Sequence, residues 1–477
     1  SPDGSQVTTF GITGEYGTWG NSLEQKLQQF MDQVSDTYPI VMCFYGVGNH
    51  GGGPTKENLA IIEREMTAAA ADPAKPEVLF GDPVSFFSVA NTLTNLPVVH
   101  DELQHHASGC YAVESEIKAN NRRSEHALAT AEKLAVAAGV LAGFPYPLTE
   151  LAQGWKAVLF NQFHDIMAGT SISEAYYDAR NLHGQALQIA TEIQAFALQS
   201  LAATVDLTAA GLPIVVFNPH SYRRVGPVEL ELHAYSGELA LQDSAGKSVL
   251  CQETKPSAVV NSGRRALTFV ADVPPLGYAT YWLRPPQQGN APRRGTLQAG
   301  KDFLGNEHLW LRIDLTTGYI SEFTWKKDGW RVTSGAAAVP VVIDDPSDTW
   351  SHGVFHFHNE VGRFSNATLT LLESGPVRAT LRAESHYGKS TVVQDFTVYA
   401  GLAYVDVHCT IDWHEQQQML KLEFPVNVAD PQATYEIQYG AFERPVNGEE
   451  EPALHWFDVT GSHGEEDQRG LAILNDA

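Results

Sequence analysis

Basic residues are scarce in this chain. Only 31 Lys and Arg stand against 56 Asp and Glu, a formal net charge of -25. Phosphate backbones and anionic lipid surfaces are repelled by such a balance, so neither nucleic acid nor a membrane is an expected partner. Long hydrophobic runs are also missing: no uninterrupted apolar stretch reaches the length needed to cross a bilayer. Cysteine is sparse and scattered. Cys43, Cys110, Cys251 and Cys409 lie far apart, and none belongs to a CxxC pair. Four buried thiols in a reducing cytosol is the expectation, which makes the localisation cytoplasmic. A homo-oligomer is left open.

What is present is length and a change of pattern along it. At about 150 residues per domain, 477 residues hold roughly two to four domains. Up to about Leu96, short apolar runs alternate with helical patterns. "PIVMCFYG" (39–46) reads as a buried strand, "TKENLAIIEREMTAAAAD" (55–72) as a helix and "EVLFGDP" (77–83) as the next strand, which predicts parallel βαβ units. Thr55 is the N-cap, with Asn58 where a capping box prefers Glu or Gln, so the cap is expected to be half made. From Asp101 to Val205 the pattern is helical. Val113, Ile117, Leu128, Ala131, Leu134, Ala135 and Ala138 fall on one stripe, and Leu187, Ile189, Ile193, Phe196 and Leu201 on another, which suits an antiparallel bundle. After "LPIVVFNPHSYRR" (212–224) short β-rich runs take over, as for a small β domain followed by a large sandwich; "PPQQGNAPRRG" (285–295) is the linker between them.

Chemistry concentrates at "NQFHDIMAGTS" (161–171). A helix capped by Thr149 is expected to bury Leu151, Trp155, Val158, Leu159 and Phe163. At 100° per residue, Asn161, His164 and Asp165 then share another face, above the small Gly154 and Ala157. Gly169 ends the helix. A neutral imidazole there can bind a cation while the neighbouring carboxylate orients a hydroxyl; a His favoured by the helix dipole and a locally bonded Asp explain the same pair. One His and one Asp are too few for zinc without ligands from elsewhere.

"YGVGNHGGGPT" (45–55) follows the expected parallel strand, on the side of an α/β sheet where ligands bind. Its glycines permit close backbone approach, to a ligand or within a tight turn, and the absence of Gly-Lys-Ser/Thr rules out a P-loop. "VVHDELQHHASGCY" (98–111) gathers His100, Asp101, Glu102, His105 and His106, and "HFHNE" (356–360) places His356 and His358 on one face of a strand. Solvated surface accounts for both groups better than a metal site does.

Together, "FYGVGNHGGGPTKENL", "ELQHHASGCYAVESEIKANNRRSEHALATAEKLA", "LFNQFHDIMAGTSISEAYYDA", "VVFNPHSYRR" and "IDWHEQQQMLKLEFPVNV", in this order along the chain, resemble glycoside hydrolase family 38, the zinc-dependent retaining α-mannosidases of the bacterial and cytosolic branch. The resemblance implies a multidomain α/β, all-α and all-β chain: a partial α/β barrel (1–97), a three-helix bundle (98–206), a small β domain (207–288) and an incomplete β-supersandwich (289–477). It implies zinc as cofactor, His164 as a metal ligand, and Asp165 in contact with the sugar hydroxyls or the metal shell. An α-mannoside from glycans or oligosaccharides is the implied substrate. A carboxylate nucleophile and an acid/base group about 5 to 5.5 Å apart would carry the retaining chemistry.

Two departures qualify it. The family's His-x-Asp pair, which with the nucleophile belongs to the first half of the barrel, occurs nowhere in the sequence. The chain is therefore expected to be truncated and inactive by itself. Asn49 stands where related sequences often carry an Asp suited to acid/base work, and an amide does not donate and recover a proton at neutral pH. His50 is the nearest titratable substitute, with Asp101 behind it. The expected site set is thus His50 and Asp165 as catalytic groups, Tyr45, Asn49 and Asp165 as substrate contacts, and His164 on the metal. The alternatives are a hydrolase of a small mannosyl conjugate such as mannosylglycerate, and a non-catalytic carbohydrate-binding protein.

Overall fold

The structure, a computed structural model, describes residues 3–19, 22–48, 51–94, 96–100, 107–233, 235, 237, 240–257, 263–285, 295–464 and 467–476. It divides into two compact units, Ser1–Leu103 and Gln104–Ala477.

In the first unit, α1 (Ser22–Met31) and α2 (Lys56–Ala71) meet through Leu23, Leu27, Ile61 and Ile62. A third helix, α3 (Pro83–Ala90), starts at Asp82, whose carboxylate accepts the Ser85 N–H at 2.8 Å. The cap of α2 is complete, not half made. Thr55 Oγ1 accepts the Asn58 N–H and Asn58 Oδ1 accepts the Thr55 N–H, both at 3.0 Å, so the amide reciprocates where Glu or Gln is usual. The expected βαβ strands do not form. Segments 39–46 and 77–82 form no regular element, and the Val47–Gly53 bridge is the β pairing among the described residues of this unit. A buried strand needs hydrogen-bonding neighbours on its edges, and none is described here; Leu79 and Phe80 are exposed. No barrel segment is present among the described residues.

After a 3-10 turn at Ser108–Tyr111, the described part of the second unit continues with four α-helices: α4 (Ser115–Ala142), α5 (Leu148–Asn161), α6 (His164–Met167) and α7 (Ser173–Ala202). The core joining α4, α5 and α7 is built from Leu128, Ala131, Ala135, Val158, Ala186 and Ala190, all fully buried. On α7 the buried line is Tyr176, Ala179, His183, Ala186, Ala190, Ile193, Ala197 and Leu201, in steps of three or four. Of the expected stripe, Ile193 and Leu201 lie on this line and Ile189 packs against the core, but Phe196 is 58% exposed. Small residues win the contact because they let helix axes approach. α5 behaves alike. Its buried face is Leu151, Gly154, Ala157, Val158 and Asn161, whereas Leu159 and Phe163, expected in the core, are exposed. A Cβ on Gly154 would stand 2.7 Å from Leu128 Cδ2, so the small residues mark contact and not open space. Thr149 is not the N-cap: Pro147 holds that position, without a side-chain cap.

From Leu212 onward the sheets are antiparallel. Leu212–Asn218 pairs with Gly277–Leu283 and Arg224–His233 with Arg264–Val273, around Leu241, Leu267, Phe269 and Leu283. Further on, Arg378–Tyr387 lies between Ser365–Ser374 and Ser390–Tyr399. Its Leu381, with Phe396 and Val398, packs against Leu304, Leu311 and Ile313 of a five-stranded sheet. Gln252 ties the two β regions: its Oε1 accepts the Val377 and Arg378 N–H groups at 3.0 and 2.9 Å. The four cysteines, expected buried, are part-buried thiols in no disulfide. No described helix is long and apolar enough to cross a membrane.

The alanine seam gives a direct test. Ala186→Leu overpacks the α4–α7 contact and is expected to destabilise by about 1–3 kcal/mol. Phe196→Ala is expected to stay within about 0.5 kcal/mol. Denaturant unfolding of both variants checks the order, which the sequence stripe would reverse.

Candidate functional site

The helix expected to carry Asn161, His164 and Asp165 on one face is broken between them. α5 ends at Asn161, Phe163 is extended, and α6 restarts at His164. The break is fastened on both sides. Asn161, fully buried, donates from Nδ2 to the Ala179 carbonyl at 2.9 Å, on α7. Gln162 Nε2 donates to Asn121 Oδ1 at 3.1 Å and Glu125 Oε1 at 2.8 Å, on α4. The expected three-residue polar face is therefore corrected: Asn161 points into the bundle, and only His164 and Asp165 face outward.

α6 is a single turn seated by Ile166, which is buried against Ile117, Tyr176 and Ala179. It closes at Gly169 (φ +82), as expected. The Gly169 N–H donates to the Ile166 carbonyl and the Thr170 N–H to the Asp165 carbonyl, both at 3.1 Å, the paired bonds of a Schellman turn. A Cβ at Gly169 would stand 2.6 Å from the Val113 carbonyl oxygen and Cγ1. Glycine is thus required twice, for the left-handed backbone and for the contact.

On this turn the His164 side chain is 76% exposed and that of Asp165 30%, with Nε2 and Oδ2 3.7 Å apart. The imidazole lies against Phe163, ring centroids 4.2 Å apart. Thr170 Oγ1 donates to Asp165 Oδ1 at 3.2 Å. The Tyr176 hydroxyl accepts the Ser171 N–H at 2.9 Å and donates to the Asp165 carbonyl at 3.3 Å, and its burial pushes its pKa up. One imidazole edge and one carboxylate edge face solvent from a rigid base. That arrangement can contribute to a cation site or bond a hydroxyl. It supplies two donors of the three or four that zinc uses, and among the described residues no group of three or more His, Cys, Asp or Glu comes together. A metal held here would need its further ligands from outside the described residues.

The glycine-rich loop belongs to the first unit. The Val47 N–H donates to the Gly53 carbonyl at 2.9 Å. A Cβ at Gly52 would meet the Val47 carbonyl at 2.1 Å and one at Gly48 the Gly51 carbonyl at 2.9 Å, so tight closure of the loop by itself demands these glycines. Tyr45, half-buried, lines a cavity of about 330 Å³ with Tyr16, Gly17 and Phe44, its ring 6.4 Å from Phe80. Asn49 and His50 lie outside the described residues, as do Asp101, Glu102, His105 and His106; His100 is exposed. His356 and His358 do not sit on a strand as expected. They lie in irregular chain before Glu360–Arg363, ring centroids 5.9 Å apart, and His356 Nδ1 is 2.9 Å from the Gly448 carbonyl.

Residues 105–201 match the alpha mannosidase middle domain, and residues 304–477 the glycosyl hydrolases family 38 C-terminal domain. The chain belongs to glycosyl hydrolase family 38. It is 26% identical over 504 residues to alpha-mannosidase 2C1 of Mus musculus, covering 99% of this chain and 44% of that protein. To alpha-mannosidase G of Dictyostelium discoideum it is 24% identical over 512 residues, covering 99% and 46%. The chain thus spans less than half the length of these relatives. Among solved structures it resembles an alpha-mannosidase from Enterococcus faecalis V583, with a TM-score of 0.69 at 16% identity over 89% of this chain and 56% of that one, a likeness of fold.

Sequence reasoning missed Gln162, Thr170 and Tyr176, the groups that hold the His164–Asp165 turn in place. The Gly and Thr directly after the turn were the available signal. Gly169→Ala is expected to cost about 1–2 kcal/mol for the left-handed backbone and about 1–3 kcal/mol more for the clash with Val113. Gly143→Ala, at φ +69 with nothing within 4 Å, carries only the first penalty. Unfolding of the two variants should separate them by the clash alone.

Proposed function

We propose that this chain serves a zinc-dependent, retaining α-mannosidase that removes terminal α-linked mannose from glycans or oligosaccharides. The observation that carries the reading is the His164–Asp165 turn: two outward donors on a rigidly closed backbone, within a family 38 chain. The division 1–97, 98–206, 207–288 and 289–477 belongs to the same reading, with an α-mannoside as the partner molecule. Four thiols in no disulfide support a cytoplasmic setting.

In this reading His164 would hold zinc together with donors outside the described residues. Bound there, the metal would supply Lewis acidity and a template for adjacent sugar hydroxyls. The protein's own groups do the rest. Asp165, with Oδ1 held by Thr170, presents Oδ2 as acceptor to a sugar hydroxyl or steadies the metal shell. Tyr45 and Asn49 contact substrate, and His50 takes the acid/base role that the amide of Asn49 cannot.

In the intact gene product, His164→Ala is expected to lower bound zinc, read by metal analysis, and to reduce aryl α-mannoside hydrolysis by more than about 100-fold; Asp165→Asn, acting beside the metal, should cost about 10–100-fold. Full zinc content in the His164 variant would remove it from the ligand set. His50→Ala should slow substrates with poor leaving groups far more than activated ones, whose departure needs little protonation. Equal losses on both would end the acid assignment.

A further inference from the structure

We infer that Lys118 is a positioning residue for the His164–Asp165 turn: by donating to the Val113 carbonyl it fixes the loop wall on which Gly169 is seated.

The contacts form one chain. Lys118, in the first turn of α4, donates from Nζ to the Val113 carbonyl. That carbonyl and Val113 Cγ1 are the atoms that leave no space for a Cβ at Gly169. Gly169 sets the Schellman turn, and through it Thr170 bonds the Asp165 carbonyl and Oδ1. The upstream end of the same loop is held independently. Ser108 Oγ donates to the Val354 carbonyl at 2.7 Å and the Gly109 N–H to the Trp350 carbonyl at 3.1 Å. At the downstream end Glu114 adopts a left-handed backbone (φ +51), a conformation an L side chain holds only under constraint. The ammonium supplies that constraint at the neighbouring peptide.

The clamp is charge-assisted, and burial weakens the charge. Burial pulls the Lys118 pKa down to about 8, against Cys110 and Glu114, which favour the ammonium. Around them stand Asp165 and Asp348, which with burial push the Cys110 thiol up. The clamp is therefore full below about pH 8 and loses its charge above. Overall stability moves the opposite way. Between about 8 and the unfolded value near 10.4 the unfolded chain binds more protons, so this group makes folding more favourable as pH rises. An alkaline loss of activity through Lys118 is thus a local event and not unfolding.

The experiment uses the intact protein with Lys118→Arg and Lys118→Met, and rests on the proposed activity for one of its two readouts. Wild-type kcat on an aryl α-mannoside should fall as pH rises through about 8; Lys118→Arg, charged throughout, should move that limb at least about one unit higher. Lys118→Met should lower kcat at neutral pH with KM changed less. Independently of activity, hydrogen exchange at the Thr170 amide should be roughly tenfold faster in the Met variant than in the Arg variant. An alkaline limb in the Arg variant that superimposes on wild type, or equal Thr170 exchange in the two variants, overturns the inference. A protein that turns over no α-mannoside defeats the proposed function instead, and Thr170 exchange still decides the role of Lys118.

Discussion

The contact between Gly169 and the Val113 peptide is the constraint on which the outward face of the helical region depends. Remove the side chain and the backbone of one segment can lie on the backbone of another; restore it and one of the two must move. Around that contact several further groups hold the turn. Ile166 anchors the turn in the core, Asn161 and Gln162 fasten the break before it to two different helices, and Tyr176 bridges its far side. The helix break is thus tied to both α4 and α7, and this is what turns two neighbouring residues of α5's sequence continuation outward.

Small residues govern the bundle in the same way. Ala131, Ala135, Ala186 and Ala190 occupy the fully buried seam while Leu159, Phe163 and Phe196 stay in solvent. A hydrophobicity pattern gives weight to size, whereas a close-packed seam gives weight to fit, and the two differ wherever helices approach closely. Buried polar groups pin the register. His183 Nδ1 lies 3.0 Å from Ser124 Oγ inside the seam, and its burial pulls its pKa down, so the pair favours a neutral ring.

These cases show which parts of the molecule were legible. Helix existence and the switch to antiparallel β were readable because each follows from a local period. The His-Asp pair and the terminating Gly169 were readable because their chemistry is carried by residue type. The shared face of Asn161, His164 and Asp165 was not, since it assumed an unbroken 100° step, and the break is set by Asn121, Glu125 and Ala179 from distant sequence. The βαβ reading of the first unit failed for a related reason. A strand is a property of pairs, and an apolar run such as "EVLFGDP" states a preference without supplying the partner.

The Asp165 backbone is more firmly held than its side chain. Its carbonyl accepts from the Thr170 N–H and from the Tyr176 hydroxyl, while the carboxylate has Thr170 Oγ1 on Oδ1 and leaves Oδ2 toward His164 at 3.7 Å. Among the described residues His164 has no comparable tether beyond the face of Phe163. Rigid backbone under adjustable side chains suits a site completed by groups from elsewhere. In the proposed reading the base would fix where the donors start, and a bound cation or hydroxyl would select their rotamers. Asn161, the last residue before the break, is by contrast fully buried. At Asp165 a twice-bonded carbonyl thus sits beside a carboxylate with one open edge, a combination its buried neighbour Asn161 lacks.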